Sequence, residues 1–170
     1  PNRNAPKFDE WVKFLEKNVK LDNNTILSAE SFSGLVVLRI LEKLDKPIIV
    51  HSRKAESDCI EMLKSSKLKK VVMHCFTGKK PLVRKIVDYG WFMTAPTCIT
   101  RSTQFQENVK LVPTTQLFCE TDAPYLSPIK DKRNEPAFVL EAYKKVAEIK
   151  NMELKEVVNN IWMNWQKTFQ

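Results

Sequence analysis

A parallel α/β fold is what this sequence predicts, and three observations carry the prediction. Short apolar runs rich in β-branched residues stop at polar ones: Pro47 to Val50 at His51, Lys70 to Met73 at His74, and Leu117 to Cys119 at Glu120, Thr121 and Asp122. A buried parallel strand reads as such a run, with its polar residue just past its carboxyl end. Helical patterns separate the runs, and these connections are long enough for parallel pairing. Finally, the chain has two histidines, and both stand at that strand-end position. His51, His74 and Asp122 are therefore expected together at one rim of a parallel sheet.

The elements follow in order. Pro1 to Pro6 is a polar opening without a first strand. Phe8, Trp11, Val12, Leu15 and Val19 recur at helical spacing, with Asp9 and Glu10 in the first turn where the helix dipole favours acid, and Asp22-Asn23-Asn24 stops the helix. Thr25 to Glu30 reads as a short strand ending at an acid. Leu35 to Leu44 is a helix running into the strand at Pro47, and Ala55 to Ser65 is another, with Ile60, Met62 and Leu63 inward. After His74, Cys75 to Gly78 is a tight turn; a helix then starts with Pro81 in its first turn and stops at Gly90. Trp91 to Ala95 is a strand broken by Pro96, Ser102 caps a helix that reaches Val112, and Pro113 closes it. Pro124, Pro128 and Pro136 mark a long rim loop before two final helices, Ala137 to Lys150 and Glu153 to Thr168. A complete eight-stranded barrel takes about 250 residues, so four or five strands form either an open sheet or part of a barrel.

With 170 residues, 43% of them hydrophobic, the chain is long enough for one domain, 1–170, with a sizeable core. Its 28 Lys and Arg against 20 Asp and Glu give a formal charge of +8, which favours a polyanionic partner such as nucleic acid. Cys59, Cys75, Cys98 and Cys119 stand singly, without metal-finger spacing, and fit reduced core thiols. No apolar run approaches the ~20 residues of a membrane span, and no signal peptide opens the chain. A soluble, cytoplasmic protein with no membrane partner is expected. Three glycines exclude a Gly-rich phosphate loop.

In a parallel β/α sheet the loops at the carboxyl ends of the strands form the active face. Two neutral imidazoles and a carboxylate gathered there suit a divalent metal, which acidifies a bound water and withdraws charge from a phosphoryl oxygen. Against this stand blander readings: a hydrogen-bonded rim histidine, or an N-cap or turn carboxylate for Asp122. Arg53, Lys54, Lys79, Lys80, Arg101, Lys130, Lys132 and Arg133 follow strands, where phosphate contacts would be made; Arg53, Lys79, Arg101 and Arg133 are the candidates for nucleic-acid binding. Phe76 and Tyr125 either stack on a base or pack on the rim. Trp11, Trp91, Trp162 and Trp165 are expected in the core. Glu120 is expected to orient a ligand from behind it.

Four segments then resemble, in order and spacing, motifs of the TatD family of metal-dependent deoxyribonucleases. They are Pro47 to Arg53, His74-Cys75-Phe76-Thr77-Gly78, Glu120-Thr121-Asp122-Ala123-Pro124-Tyr125-Leu126, and Arg133-Asn134-Glu135-Pro136. Ala95 to Ser102 resembles the archaeal-type branch in particular. The resemblance implies a TIM (β/α) barrel of the metal-dependent hydrolase type, one or two divalent ions (Mg²⁺, Zn²⁺ or Mn²⁺) at the rim, and hydrolysis of DNA. By motif position His51 and His74 match two metal-binding histidines, and Asp122 matches the aspartate that binds metal and takes a proton from the attacking water. Glu30 is the candidate for the family's metal-bridging glutamate.

Two departures accompany the likeness. The family opens on a strand with a His-x-His pair, which has no counterpart here, so the barrel is expected to lack its first three strands and to show about five of eight. Only Ala29-Glu30-Ser31 stands where the family has Gly-Glu-x-Gly-Leu-Asp, and the distance from Glu30 to His51 is short. With an incomplete ligand set, weak or no activity is expected of this chain unless the remaining strands are supplied. Three functions are therefore carried: a metal-dependent DNase, a truncated or degenerate relative without turnover, and an amidohydrolase-type enzyme acting on a small substrate.

Overall fold

Alternation of apolar runs and helical segments produces a four-stranded, all-parallel sheet. The computed structural model describes residues 7–22, 25–30 and 32–170, with Phe32 described by its main chain alone. Helices α1 (Phe8–Asn18) and α2 (Phe32–Leu44) lead into β1 (Ile48–His51), and α3 (Glu56–Ser65) connects it to β2 (Val71–His74). Next come α4 (Lys80–Asp88), β3 (Phe92–Pro96), a 3₁₀ turn at Thr97–Thr100, α5 (Thr103–Leu111), β4 (Leu117–Glu120), α6 (Val139–Lys150) and α7 (Leu154–Phe169). The sheet order is β1-β2-β3-β4, with each strand beside its sequence neighbour. Crossovers between parallel strands share one hand. Because the order never reverses, the connecting helices fall on the same side, as in a barrel wall.

Register then sorts side chains between the two faces. Ile49 pairs with Val72, His51 with His74, Val72 with Phe92, Thr94 with Phe118, and Pro96 with Glu120. Paired residues share a face and successive ones alternate, so His51, His74, Thr94 and Glu120 lie on one face, above Ile49, Val72, Phe92 and Phe118. On the other face Val71, Met73, Met93, Ala95 and Leu117 are at most 2% exposed. They form one cluster with Ile60, Leu63, Val83, Ile86, Val109, Val146, Val157 and Ile161 from the helices. A smaller cluster joins Val12 of α1 to Val36 and Ile40 of α2.

Helix ends follow the expected chemistry. The Ser102 hydroxyl accepts the Phe105 N–H at 3.5 Å, and Gly90, at φ 72°, ends α4. Pro1 to Pro6, together with Asn23 and Asn24 of the expected helix stop, lie outside the described residues.

Three expectations are corrected. Thr25–Glu30 is not a strand. Local side-chain bonds hold its two ends instead: Thr25 Oγ1 accepts the Asp22 N–H at 3.0 Å, and Ser33 Oγ accepts the Glu30 N–H at 3.0 Å, a competition typical of Ser and Thr. The sheet among the described residues therefore has four strands, not five. Trp162 and Trp165 are 53% and 39% exposed and stack on each other, with ring centroids 5.1 Å apart. The α7 sequence carries two apolar stripes, and the one through Val157 and Ile161 faces the core. Met62, expected inward, is also exposed; α3 buries Ile60 and Leu63.

Phe76 is fully buried beneath the turn that follows β2. A methyl group at Gly78 would overlap its ring, which the surrounding core holds in place. Gly78→Ala is expected to cost about 1–3 kcal/mol through overpacking, read as a lowered Tm with unchanged far-UV circular dichroism at room temperature.

Candidate metal centre

The site begins with register. His51 and His74 close neighbouring strands as paired residues, which sets their ring centroids 5.6 Å apart. Glu120 closes β4, two strand spacings from β2, about 9.6 Å on a flat sheet. Inward curvature of this face and the length of the glutamate side chain close that gap. The Glu120 carboxylate accepts the His74 Nδ1–H and the Thr94 hydroxyl, and also the Cys75 N–H at 3.1 Å and the Cys75 thiol at 3.0 Å. Thr94 Oγ1 accepts the Cys75 N–H at 2.9 Å as well. In the neutral ring, a proton held on Nδ1 leaves Nε2 as a free acceptor. That nitrogen lies 3.4 Å from Asp122 Oδ1.

The backbone is left-handed at the residues that aim these groups. Cys75 after β2 and Asp122 after β4 have φ of 45° and 58°, and Lys54 after β1 has φ 58°. Such conformations are costly for non-glycine residues and cluster at functional sites. They turn the chain sharply at each strand end, so that consecutive side chains face the concave side.

Electrostatics follow from the Glu120 contacts. The bond to Glu120 raises the His74 pKa; burial opposes it, and the Glu120 and Asp122 charges reinforce it. Burial pushes the Glu120 carboxyl up, but hydrogen bonds from His74, Cys75 and Thr94, with the His74 charge, outweigh burial and hold it below its ordinary value. Burial and then the Glu120 charge push the Cys75 thiol up, so it stays protonated.

Among the described residues, one set of three potential donors lies within 4.8 Å of one another: His74, Cys75 and Glu120. Its chemistry argues against use as a ligand set. The thiol is a hydrogen-bond donor and the carboxylate is already occupied by four donors, whereas metal binding needs free lone pairs. Open donors lie one layer outward, at His74 Nε2, Asp122 and the exposed His51. Two imidazoles and a carboxylate fit a divalent ion of the Zn²⁺ or Mn²⁺ type. His51, Asp122 and Glu30 all lie outside that close set of three; Glu30 is exposed ahead of α2, with its N–H and C=O bonded to the Ser33 side chain.

Rim cations divide by their partners. Arg53, Lys79 and Arg133 are exposed. Arg101 donates its Nε–H to the Ser127 carbonyl at 3.1 Å, so part of its guanidinium holds a loop. Lys79 lines an open cleft of about 380 Å³ with Lys54, Glu56 and Thr77. There Glu56 Oε1 accepts the Lys54 N–H at 3.2 Å and the Thr77 hydroxyl at 3.3 Å, joining the loops after β1 and β2. Tyr125 is 72% exposed, whereas Phe76 is core. Sequence reasoning missed Thr94 and Glu56. A threonine within Trp91–Ala95 reads as an ordinary strand former, and an acid at a helix start reads as a dipole partner.

A same-handed parallel β/α wall with imidazole and carboxylate donors at its carboxyl rim defines a metal-hydrolase type of site. The chain belongs to the TatD related DNase family, whose model matches residues 34–170. It is 34% identical over 132 residues to Deoxyribonuclease TATDN3 of Homo sapiens, a match covering 78% of this chain and 48% of that protein. It is 35% identical over 133 residues to an uncharacterized metal-dependent hydrolase of Methanocaldococcus jannaschii, covering 78% of this chain and 53% of that one. These near-equal identities do not single out an archaeal-type branch. The chain thus spans about half the length of the curated relatives it matches. Among solved structures, it superposes on a TatD homolog of Escherichia coli with a TM-score of 0.73 at 20% identity, covering 93% of this chain and 68% of that one. A TatD family hydrolase of Entamoeba histolytica gives 0.70 at 22%, covering 94% and 67%. The fold is that of the TatD TIM-barrel hydrolases, of which the described residues form four parallel strands.

The His74–Glu120 pair carries a pH signature. A raised histidine stabilises the fold fully below its ordinary value of 6.5 and loses that contribution as pH rises through its folded value. A lowered glutamate stabilises it fully above 4.5 and loses that contribution as pH falls through its folded value. With chelator present, the Tm gap between the parent and Glu120→Gln is expected to be widest between these two values and to narrow on either side. Thermal unfolding from about pH 3 to about pH 9 checks this, and a gap independent of pH would remove the ionic pair from the account.

Proposed function

We propose that this chain forms one TatD-like hydrolase unit, 1–170, of a metal-dependent deoxyribonuclease that cleaves DNA phosphodiesters. The observation that carries the reading is the orientation of His74. Its Nδ1–H is fixed by Glu120, and its free Nε2 faces Asp122 beside His51. His51, His74 and Asp122 would hold the divalent ion, Mg²⁺, Zn²⁺ or Mn²⁺. Glu30 is left out because it lies exposed ahead of α2, its main-chain N–H and C=O held by the Ser33 hydroxyl, and not at a strand end of the sheet. The chemistry a bound divalent cation supplies is acidification of water and withdrawal of charge from the phosphoryl oxygen.

The remaining roles belong to the protein. Asp122, half-buried with one oxygen toward His74, accepts a proton from the attacking water. Glu120 keeps the His74 ring in the tautomer that leaves Nε2 open. Arg53, Lys79 and Arg133 bind the phosphate backbone, and Arg101 joins them through its terminal N–H groups. The formal charge of +8 supports a polyanionic substrate. The name of the human relative, a deoxyribonuclease, supports DNA as that substrate. Four free cysteines, and no helix long and apolar enough to cross a membrane among the described residues, support a cytoplasmic setting.

The test joins binding to turnover on the 170-residue chain. Calorimetric titration with Mn²⁺ is expected to show binding that His51→Ala and His74→Ala each weaken by about tenfold or more. Cleavage of single-stranded DNA with Mg²⁺ or Mn²⁺ is expected to be weak from this chain's incomplete ligand set, to stop with EDTA, and to fall about a hundredfold or more in Asp122→Asn. Metal binding without cleavage would reduce the chain to a binding module. Hydrolysis of small esters or amides with no action on DNA would favour an amidohydrolase-type substrate, and absence of metal binding would remove the catalytic reading.

A further inference from the structure

Asp122 stands on a loop that cannot hold its own shape. Asp122 and Leu126 are both left-handed, at φ 58° and 53°, within five residues. The loop's own bonds are few: the Tyr125 N–H to the Asp122 carbonyl at 2.9 Å, and the Ala123 N–H to Thr121 Oγ1 at 3.3 Å. Inward-facing carbonyls at Thr121, Tyr125 and Leu126 need donors, because an unpaired buried carbonyl costs about 1–3 kcal/mol.

One side chain supplies most of them. The two Nδ2 hydrogens of Asn134, 2% exposed, are shared among three acceptors: the Tyr125 carbonyl at 2.6 Å, the Thr121 carbonyl at 2.7 Å and Thr97 Oγ1 at 2.8 Å. Thr97, fully buried at the end of β3, donates its hydroxyl to the Leu126 carbonyl at 2.8 Å, so it must accept from Asn134. The Asn134 main chain adds its N–H to the Pro124 carbonyl at 3.1 Å, and its Oδ1 accepts the Glu135 N–H at 3.0 Å. Every polar atom of the Asn134 side chain is thus occupied, and the two carbonyls it holds bracket Asp122.

We propose that Asn134, seated against Thr97, is the positioning residue that sets Asp122 against His74. The proposal rests on the metal-hydrolase reading for its consequence, though not for its geometry. An amide is required at this point. Aspartate has the same shape but turns a charged acceptor toward three oxygen acceptors, and alanine leaves the carbonyls unpaired. Glutamine is longer by one methylene group in a site with no slack. Neither packing nor surface charge explains a buried asparagine with this donor pattern; the loop it closes does.

The experiment combines loop order with a double-mutant cycle. Amide hydrogen exchange at Tyr125 in Asn134→Ala and Asn134→Asp is expected to accelerate by about tenfold or more, with the β3 amide of Thr94 unchanged as an internal control for global unfolding. Mn²⁺ affinity is expected to drop about tenfold in either variant. That drop should vanish when the same substitutions are made in an Asp122→Asn background, since Asn134 acts through Asp122. Unchanged Tyr125 exchange would overturn the clamp, and an equal loss of affinity in both backgrounds would overturn its action through Asp122. Should the parent bind no Mn²⁺, the metal-hydrolase reading fails alone, and the exchange result still decides whether Asn134 orders the Asp122 loop.

Discussion

One largely buried carboxylate organises this rim. Glu120 sits where low polarity disfavours its charge, and it remains ionised because four donors from three residues converge on it. Those donors come from β2, from the turn after it and from β3, so a single side chain ties the carboxyl ends of three strands. Removing it would leave a ring N–H, a thiol and a hydroxyl without an acceptor, at about 1–3 kcal/mol for each one that stays buried, while the Cys75 N–H would keep Thr94 Oγ1. The same contacts that hold the strand ends together orient His74, so stability and ligand geometry share one cause.

Around that point the rim is held by a repeated device, in which side chains from segments distant in sequence satisfy carbonyls of a strand-end loop. From α5, Asn108 donates to the Phe76 carbonyl at 3.3 Å and Gln104 to that of Thr77, fixing the turn after β2. Thr97 and Asn134 do the same for the loop after β4. Thr100 and Arg101 extend the hold to the carbonyls of Pro128 and Ser127. Sharp left-handed turns can therefore persist in non-glycine residues, because side-chain donors take up the carbonyls those turns expose.

Much of this was legible beforehand, and for physical reasons. Strands at Lys70–His74 and Trp91–Ala95 announce themselves because burial on both faces demands unbroken apolar runs; Pro47–His51 has the same run, though Ile49 is 61% exposed on one face. Strand ends announce themselves because only there can histidine and aspartate reach solvent. What stayed hidden depends on partners distant in sequence. Thr94 looks like a strand former until Glu120 arrives from 26 residues away. Arg101 looks like a free cation, because its bond to Ser127 leaves no trace in a charge pattern. The α7 tryptophans misled because two apolar stripes share one helix and only tertiary packing selects between them. Thr25–Glu30 misled because a short β-prone run has no strand without a neighbour to pair with.

The bridge made by Glu56 bears on motion as well as on shape. By accepting from Lys54 on one side and Thr77 on the other, it fastens together the segments that leave the two histidine-bearing strands. While both bonds hold, a displacement of one segment carries the other with it.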